Sequence, residues 1–281
     1  MFHRPMEFAG SWYPKATRAC ETQIRQFWES SPAPEVTGCF GVVPHAGWVF
    51  SGQLAARVFR ALEDGAVQLV IVLGGHLGSG DPIVAMCEGQ WETPFGSFHI
   101  HEGFRETLST FPQLVLETES KHFPDNSTEL QLPFAKHRFP QAELLPIRVP
   151  PGPVALELGR ALAEYLARIG LRAVGVASTD LTHYGPNYNF EPKGDGEAAL
   201  QWAAEVNDAA FITAVESGDG EAVLAVARER HNACSAGAVA AMNELARAAG
   251  QSFHSIGHTT SAAQGPRDKR NFVGYLGGVY S

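Results

Sequence analysis

Clustered cations, long apolar runs and paired cysteines are all missing from this chain, and each absence closes off a class of function. Lys and Arg number 21 against 30 Asp and Glu, a formal net charge of −9. The cations are not grouped into the patches that phosphate binding depends on, so a nucleic-acid surface is not expected; a small molecule or another protein is the expected partner. No stretch of 18 apolar residues runs without a charge or a breaker, and Met1–Glu7 carries no apolar leader core, so no membrane span is expected and the chain reads as soluble and cytoplasmic. The four cysteines, Cys20, Cys39, Cys87 and Cys234, lie far apart with no C-x-x-C pair, which argues against a zinc ribbon or a disulfide framework. Phosphate loops, G-x-S-x-G elbows and H-E-x-x-H helices are also lacking, since His101-Glu102 is followed by Arg105 where a second histidine would stand. Without a linker, a repeat or a low-complexity tract, residues 1–281 are expected to form one domain.

What is present is a series of apolar runs alternating with helical patterns, the signature of an α/β protein with a mostly parallel or mixed sheet flanked by helices. The spacing predicts helices over about Lys15–Trp28, Gly52–Leu62, Glu102–Leu108, Glu129–Arg138 and Val154–Ile169, then Glu197–Glu216, Gly220–Arg230 and Ala236–Ala249. Strands are expected at Cys39–Pro44, Leu69–Leu73, Glu143–Val149 and Ala173–Ala177, with shorter ones at Pro82–Met86 and Gly96–His101. Cys39–Pro44, the following helix and Leu69–Leu73 read as a βαβ unit. Ser252–Thr259 and Asn271–Val279 are expected to pair antiparallel at the sheet edge.

Three of these strands end in side chains able to hold a metal or move a proton. His45 follows Val42-Val43-Pro44, His76 follows Leu73-Gly74-Gly75, and Ala173–Ala177 opens into Ser178-Thr179-Asp180-Leu181-Thr182-His183. Ligands collect at the carboxyl ends of strands in open α/β sheets, so the imidazoles of His45 and His76 are placed to share a site; singly, each also reads as an ordinary loop histidine. Asp180 and His183 stand three residues apart, and a turn would aim both at one cleft as a carboxylate and an acid–base imidazole, against the simpler reading of a turn cap and a packed loop residue. Cys234 precedes a helix of small residues, where the dipole favours a thiolate, although most free cysteines are small buried hydrophobes. Glu129 is a candidate catalytic carboxylate, but it lies in Asn126-Ser127-Thr128-Glu129, where Ser or Asn is placed to cap a helix, and a capping role is the better supported. Trp12, Tyr13 and Trp48 are the candidate wall for a planar substrate.

Taken together, Ala9-Gly10-Ser11-Trp12-Tyr13-Pro14, Pro44-His45-Ala46-Gly47-Trp48 with Ser51-Gly52, Leu73-Gly74-Gly75-His76, Glu129-Leu130-Gln131-Leu132-Pro133-Phe134, Ser178–Gly185 and His231-Asn232-Ala233-Cys234 resemble the Memo family. That family includes the proteins called AmmeMemoRadiSam system protein B. The resemblance implies a fold similar to the class III extradiol (LigB-type) dioxygenases. It also implies a metal held by His45, His76 and Cys234, with Asp180 and His183 lining the same pocket. Fe(II) is the expected ion, with Cu and Zn as alternatives, and a dioxygenase-like oxidoreductase acting on an aromatic small molecule is the expected activity. The alternatives are a metal- or peptide-binding protein without turnover and a zinc-dependent hydrolase. Radical-SAM and AMMECR1-type proteins are the partners that the family name implies. The pattern departs in two places. The loop before His76 is short for the family, so His76 needs a local shift to act as ligand. Asn126 stands where a histidine is often found, leaving open whether Asn126 or His122 contributes to the pocket.

Overall fold

Near-continuous Val, Ile and Leu content makes strands that are buried on both faces, and four such runs form the centre of the molecule. The computed structural model describes residues 2–264 and 269–281. Its main sheet has nine strands: β1 Phe40–Val43, β2 Leu69–Gly74, β3 Ile83–Ala85, β4 Leu114–Leu116, β5 Glu143–Arg148, β6 Ala173–Ser178, β7 Asp180–Tyr184, β8 Phe253–Thr260 and β9 Phe272–Tyr280. β1, β6, β2 and β5 lie side by side in that order, all parallel. β3 joins β5 antiparallel and carries β4 beyond it. On the other side β9 runs antiparallel to β1, with β7 continuing along the same flank and β8 along the opposite one. A small second sheet pairs His3–Arg4, Gln90–Trp91 and Phe98–His99.

Side chains alternate across the central strands, as the two-residue period requires. Leu69, Ile71 and Leu73 face one apolar layer, built with the Pro153–Ile169 and Ala236–Ala248 helices. Val70, Val72, Val174 and Val176 face the other, built with the Thr17–Glu29, Trp48–Ala61 and Leu132–Arg138 helices. The Ala236–Ala248 helix is buried over every residue from Ala236 to Ala246, which its run of small side chains permits. It crosses the Pro153–Ile169 helix at Gly159, where a Cβ would run into the carbonyl oxygen of Ala241.

Several expectations change in detail. β1 and β2 are parallel but not neighbours, because β6 is inserted between them. β9 is an interior strand rather than an edge, since it pairs on both sides. The expected Glu129–Arg138 helix is two pieces, Asn126–Glu129 and Leu132–Arg138. Pro133 explains the break: it has no N–H for the Glu129 carbonyl, and its ring crowds that oxygen. The Trp48–Ala61 helix begins four residues earlier than the pattern indicates, directly after Gly47. Glu197–Glu216 is helical throughout but contains a π-helical turn at Ala203–Asp208, which turns Asn207 and Asp208 inward. Asp180–Tyr184 is a strand, not a loop.

Gly159→Ala is expected to lower stability by about 1–3 kcal/mol, because the added methyl must push a pair of packed helices apart. A urea unfolding midpoint compared with that of the unsubstituted chain measures this.

Candidate metal centre

The insertion of β6 between β1 and β2 brings three strand ends together, and each delivers one piece of the site. His45 lies two residues beyond β1, His76 two beyond β2, and Asp180 two beyond β6. His45 Nε2 is 3.1 Å from His76 Nε2 and 3.1 Å from Cys234 Sγ. One donor atom from each of the three residues lies within 4.8 Å of the others, and no second such group of His, Cys, Asp and Glu occurs among the described residues. His76 reaches this position without any shift of the chain. Gly75, at φ +106°, makes the turn, and its N–H donates to Ser127 Oγ at 2.7 Å.

The ring nitrogens facing away from the cluster are also engaged. His45 Nδ1 is 3.1 Å from Ser178 Oγ, which in turn accepts from Gln131 Nε2. His76 Nδ1 pairs with Asp125 Oδ2 at 3.6 Å. Such outer partners turn both Nε2 atoms toward a common point, as second contacts do for metal-binding histidines. Cys234 is brought in from the far end of the chain by main-chain bonds. Its N–H donates to the Asp180 carbonyl, and the Asp180 N–H donates to Sγ at 3.2 Å. The amide on the sulfur therefore belongs to Asp180, not to the helix that follows, which starts at Ala236 with Ser235 as its cap.

Burial pushes the Cys234 thiol up, but the charge and hydrogen bonds of His45 and His76 outweigh this and hold it well below the ordinary thiol range. Asp125 and Cys234, as acceptors for its ring N–H groups, raise His76 to about 10. Burial opposes the charged form of His45, yet Cys234 and Asp180 raise its pKa overall. The Cys234 sulfur, 3.1 Å from His45 Nε2, gives that nitrogen an acceptor besides the His76 ring. Burial raises the Asp180 carboxyl, offset to some extent by His45.

A cavity of about 980 Å³ opens above these groups, lined by His45, His76, Asp180 and His183 together with Trp12, Tyr13 and Trp48. Asp180 and His183 would face opposite sides of a regular strand. A bulge in β7 sets the three-residue step from Asp180 to His183 against the two-residue step from Tyr275 to Val273 in β9, so both line the cavity. The N–H of Thr182, between them, is taken by the buried carboxylate of Asp208 at 3.0 Å, in the π-helical turn. His183 Nδ1 lies 3.0 Å from the Leu181 carbonyl, an acceptor only, so Nδ1 carries a hydrogen and Nε2 is the ring nitrogen left for the cavity.

Glu129 is fully buried and neither caps a helix nor lines the cavity. Its carboxylate accepts from the N–H groups of Glu7 and Phe8 and from the Tyr13 hydroxyl, at 3.0, 2.8 and 3.0 Å, which secures the loop carrying Trp12 and Tyr13. The cap is Asp125, not Ser or Asn. Trp48 stacks on Phe134 and donates to the Leu130 carbonyl, so Tyr13 and Trp48 offer the cavity ring surface alone. Asn126 lines the cavity and donates to the His45 carbonyl, whereas His122 packs on Phe2 and bonds the carbonyls of Thr118 and Glu119. Asp125, Ser178, Gln131, Tyr188 and Tyr275 escape a reading of the sequence. Gln131, within the Glu129–Phe134 motif, and Ser178, at the start of Ser178–Gly185, have a local signal; the others have none.

Fold and site define an α/β protein with a candidate His/His/Cys metal centre at the carboxyl ends of its parallel strands. Comparison with known proteins carries this further. A profile of the family described as Memo-like protein matches residues 4–279, and the chain belongs to that family. It is 30% identical over 284 residues to a MEMO1 family protein of Thermococcus onnurineus, covering 97% of each chain. It is 29% identical over 279 residues to one of Pyrococcus furiosus, covering 95% of each. Among solved structures, an uncharacterized protein from Escherichia coli K12 matches with a TM-score of 0.46 at 13% identity, over 75% of this chain and 86% of that one. A likeness that weak carries no argument.

In metal-free protein at about pH 7, iodoacetamide is expected to modify Cys234 at least about tenfold faster than the other thiols. Burial pushes Cys20 up to about 12 and Cys87 to about 11, and raises Cys39 as well. Because its histidine neighbours hold Cys234 well below the ordinary thiol range, its rate should fall less on acidification from about pH 8 than the rates of the other thiols. Peptide mass spectrometry of partly alkylated protein gives both results.

Proposed function

We propose that this chain is a metal-dependent oxidoreductase acting on a small planar aromatic substrate, in the manner of the extradiol dioxygenases that its motifs resemble. The observation that carries this reading is the meeting of two imidazoles and one thiolate, within 4.8 Å of one another, beneath a cavity of about 980 Å³. Two nitrogens and a sulfur suit Fe(II), Cu(I) or Zn(II), and Fe(II) best matches an oxidative role. The spacing fits one ion: donors bonded at about 2.0–2.3 Å stand a little over 3 Å apart, and His45 Nε2 is 3.1 Å from each of its two partners. A redox-active ion held there would supply electron transfer between the substrate and dioxygen.

The chain's own groups then have separate tasks. His183 Nε2 takes the hydroxyl proton of a phenolic or catecholic substrate. Asp180 stays with the His45 N–H at 2.7 Å and fixes that ligand rather than titrating with substrate. Trp12, Trp48, Phe50 and Tyr188 line the space for a flat ring and keep water from its faces.

A second reading, metal retention without turnover, is favoured by the identity of the third donor. A thiolate suits Cu(I) and is itself oxidised by the dioxygen it would help activate, a hazard a carboxylate does not share.

Metal analysis of protein purified without added metal separates iron and copper from zinc, the result a hydrolase would give. Anaerobic loading with Fe(II), followed by oxygen uptake with a panel of catechols, is expected to show substrate-dependent consumption. Metal bound with no uptake for any catechol would leave the retention reading. His183→Gln should keep the metal and lower uptake about 10²–10⁴-fold, the usual worth of a positioned acid–base group. Cys234→Ser should weaken metal binding severely while Cys87→Ser leaves it nearly intact, as competition with a chelator would show. Equal losses in the two variants would mean that the sulfur ligand is misassigned.

A further inference from the structure

The two histidines are braced from a segment that comes from neither of their strands. Asp125 Oδ2 lies 3.6 Å from His76 Nδ1, Asn126 Nδ2 donates to the His45 carbonyl at 3.0 Å, and Ser127 Oγ accepts from the Gly75 N–H at 2.7 Å. Three consecutive residues thus touch the ring of one ligand, the main chain of the other, and the residue before the first. The triplet is also bonded to itself: the Ser127 N–H donates to Asp125 Oδ1 at 3.0 Å, and the Ser127 hydroxyl donates to the same carboxylate. At Gly74 a Cβ would lie 2.5 Å from Ser127 Oγ, so the glycine lets the triplet approach the end of β2.

Behind Asp125 stands a buried set of charges. Arg148 Nη1 is 3.9 Å from Asp125 Oδ2, and Arg148 Nη2 bonds Glu117 at 2.6 Å. Glu117 also binds Arg4 at 2.5 Å, and the Arg4 guanidinium lies 3.8 Å above the Trp91 ring. Two arginines and one glutamate therefore fix the carboxylate from the side away from the site.

We propose that Asp125-Asn126-Ser127 is a positioning bracket that sets both histidine ligands for one ion, an inference that rests on the metal reading above. His76 depends on it most. Its side chain is 42% exposed, and the Asp125 carboxylate, 3.6 Å from Nδ1, is the charge that draws that side of the ring outward and leaves Nε2 facing inward. His45 is secured independently through Ser178 and Asp180. Asp125, Asn126 and Ser127 are positioning residues, since they touch ligands and not the ion.

The test titrates the unsubstituted chain, Asp125→Asn, Asn126→Ala and the exposed-loop control Ser120→Ala with Co(II), then with Zn(II) against a competing chelator, recording Tm for each. Asp125→Asn is expected to weaken Zn(II) binding by about 10–100-fold, and to lower Tm as well because Arg148 loses a charged partner, so affinities are compared at a temperature where both chains are folded. Its Co(II) ligand-field bands should change while the thiolate-to-cobalt charge-transfer band persists, because Cys234 stays and His76 swings away. Asn126→Ala should lose less, and Ser120→Ala nothing. Binding by Asp125→Asn within about twofold of the unsubstituted chain, with the same Co(II) spectrum, overturns the bracket and leaves the metal centre standing. Failure of the unsubstituted chain to take up one equivalent of either ion overturns the metal centre and the bracket with it. Should Asp125→Asn not fold, Asn126→Ala decides: affinity equal to that of the unsubstituted chain overturns the bracket.

Discussion

Asp180 fastens together two regions of the chain that sequence keeps far apart. Its carboxylate accepts from the His45 N–H, its own N–H reaches the Cys234 sulfur, and its carbonyl accepts from the Cys234 N–H. One residue thereby sets the separation between the imidazole of His45, near the start of the chain, and the sulfur of Cys234, near its end. It can do so because β6 runs between β1 and β2, so the chain leaving β6 emerges between the two histidine loops. The buried bulge in β7 then gives the same segment a second function, turning His183 to the side that Asp180 already faces.

The strand ends were legible because buried parallel strands leave an unmistakable composition, and His45, His76 and Asp180 could be placed at their carboxyl ends from pattern alone. Cys234 was legible as a thiol before a helix, but the amide that reaches its sulfur comes from Asp180, which no local window contains. The bulge left no trace either. Asp180 and His183 read as a turn, because the feature that makes the segment a strand is its pairing with β9, some ninety residues on. Glu129 was the hardest to read. Its neighbours carry capping residues, while its bonds run to the amino-terminal loop, so its task is to hold Trp12 and Tyr13 in place. The break before Pro133 is the opposite case, a local rule overlooked.

Much charge is buried around this site, and each buried group has a partner. Arg4, Glu117, Arg148 and Asp125 form one connected set, and Asp208 takes both the amide and the hydroxyl of Thr182 as well as His258. Burying ions costs several kcal/mol each before pairing, so such sets add little net stability. They impose geometry instead: removing one member strands the others, which leaves few alternative arrangements for the loops that carry His76 and His183.

The crossing at Gly159 bears on more than the two helices that meet there. The Ala236–Ala248 helix begins one residue beyond Ser235, and its first turns press against the sheet so closely that Gly237 faces the carbonyls of Val149 and Pro150. The sulfur donor thus stands two residues before a closely packed helix, whereas the His76 side chain is 42% exposed. An incoming ion would meet a fixed thiolate and a movable imidazole, so ion exchange would proceed through the histidine side, with the cysteine as the anchor that is last to let go.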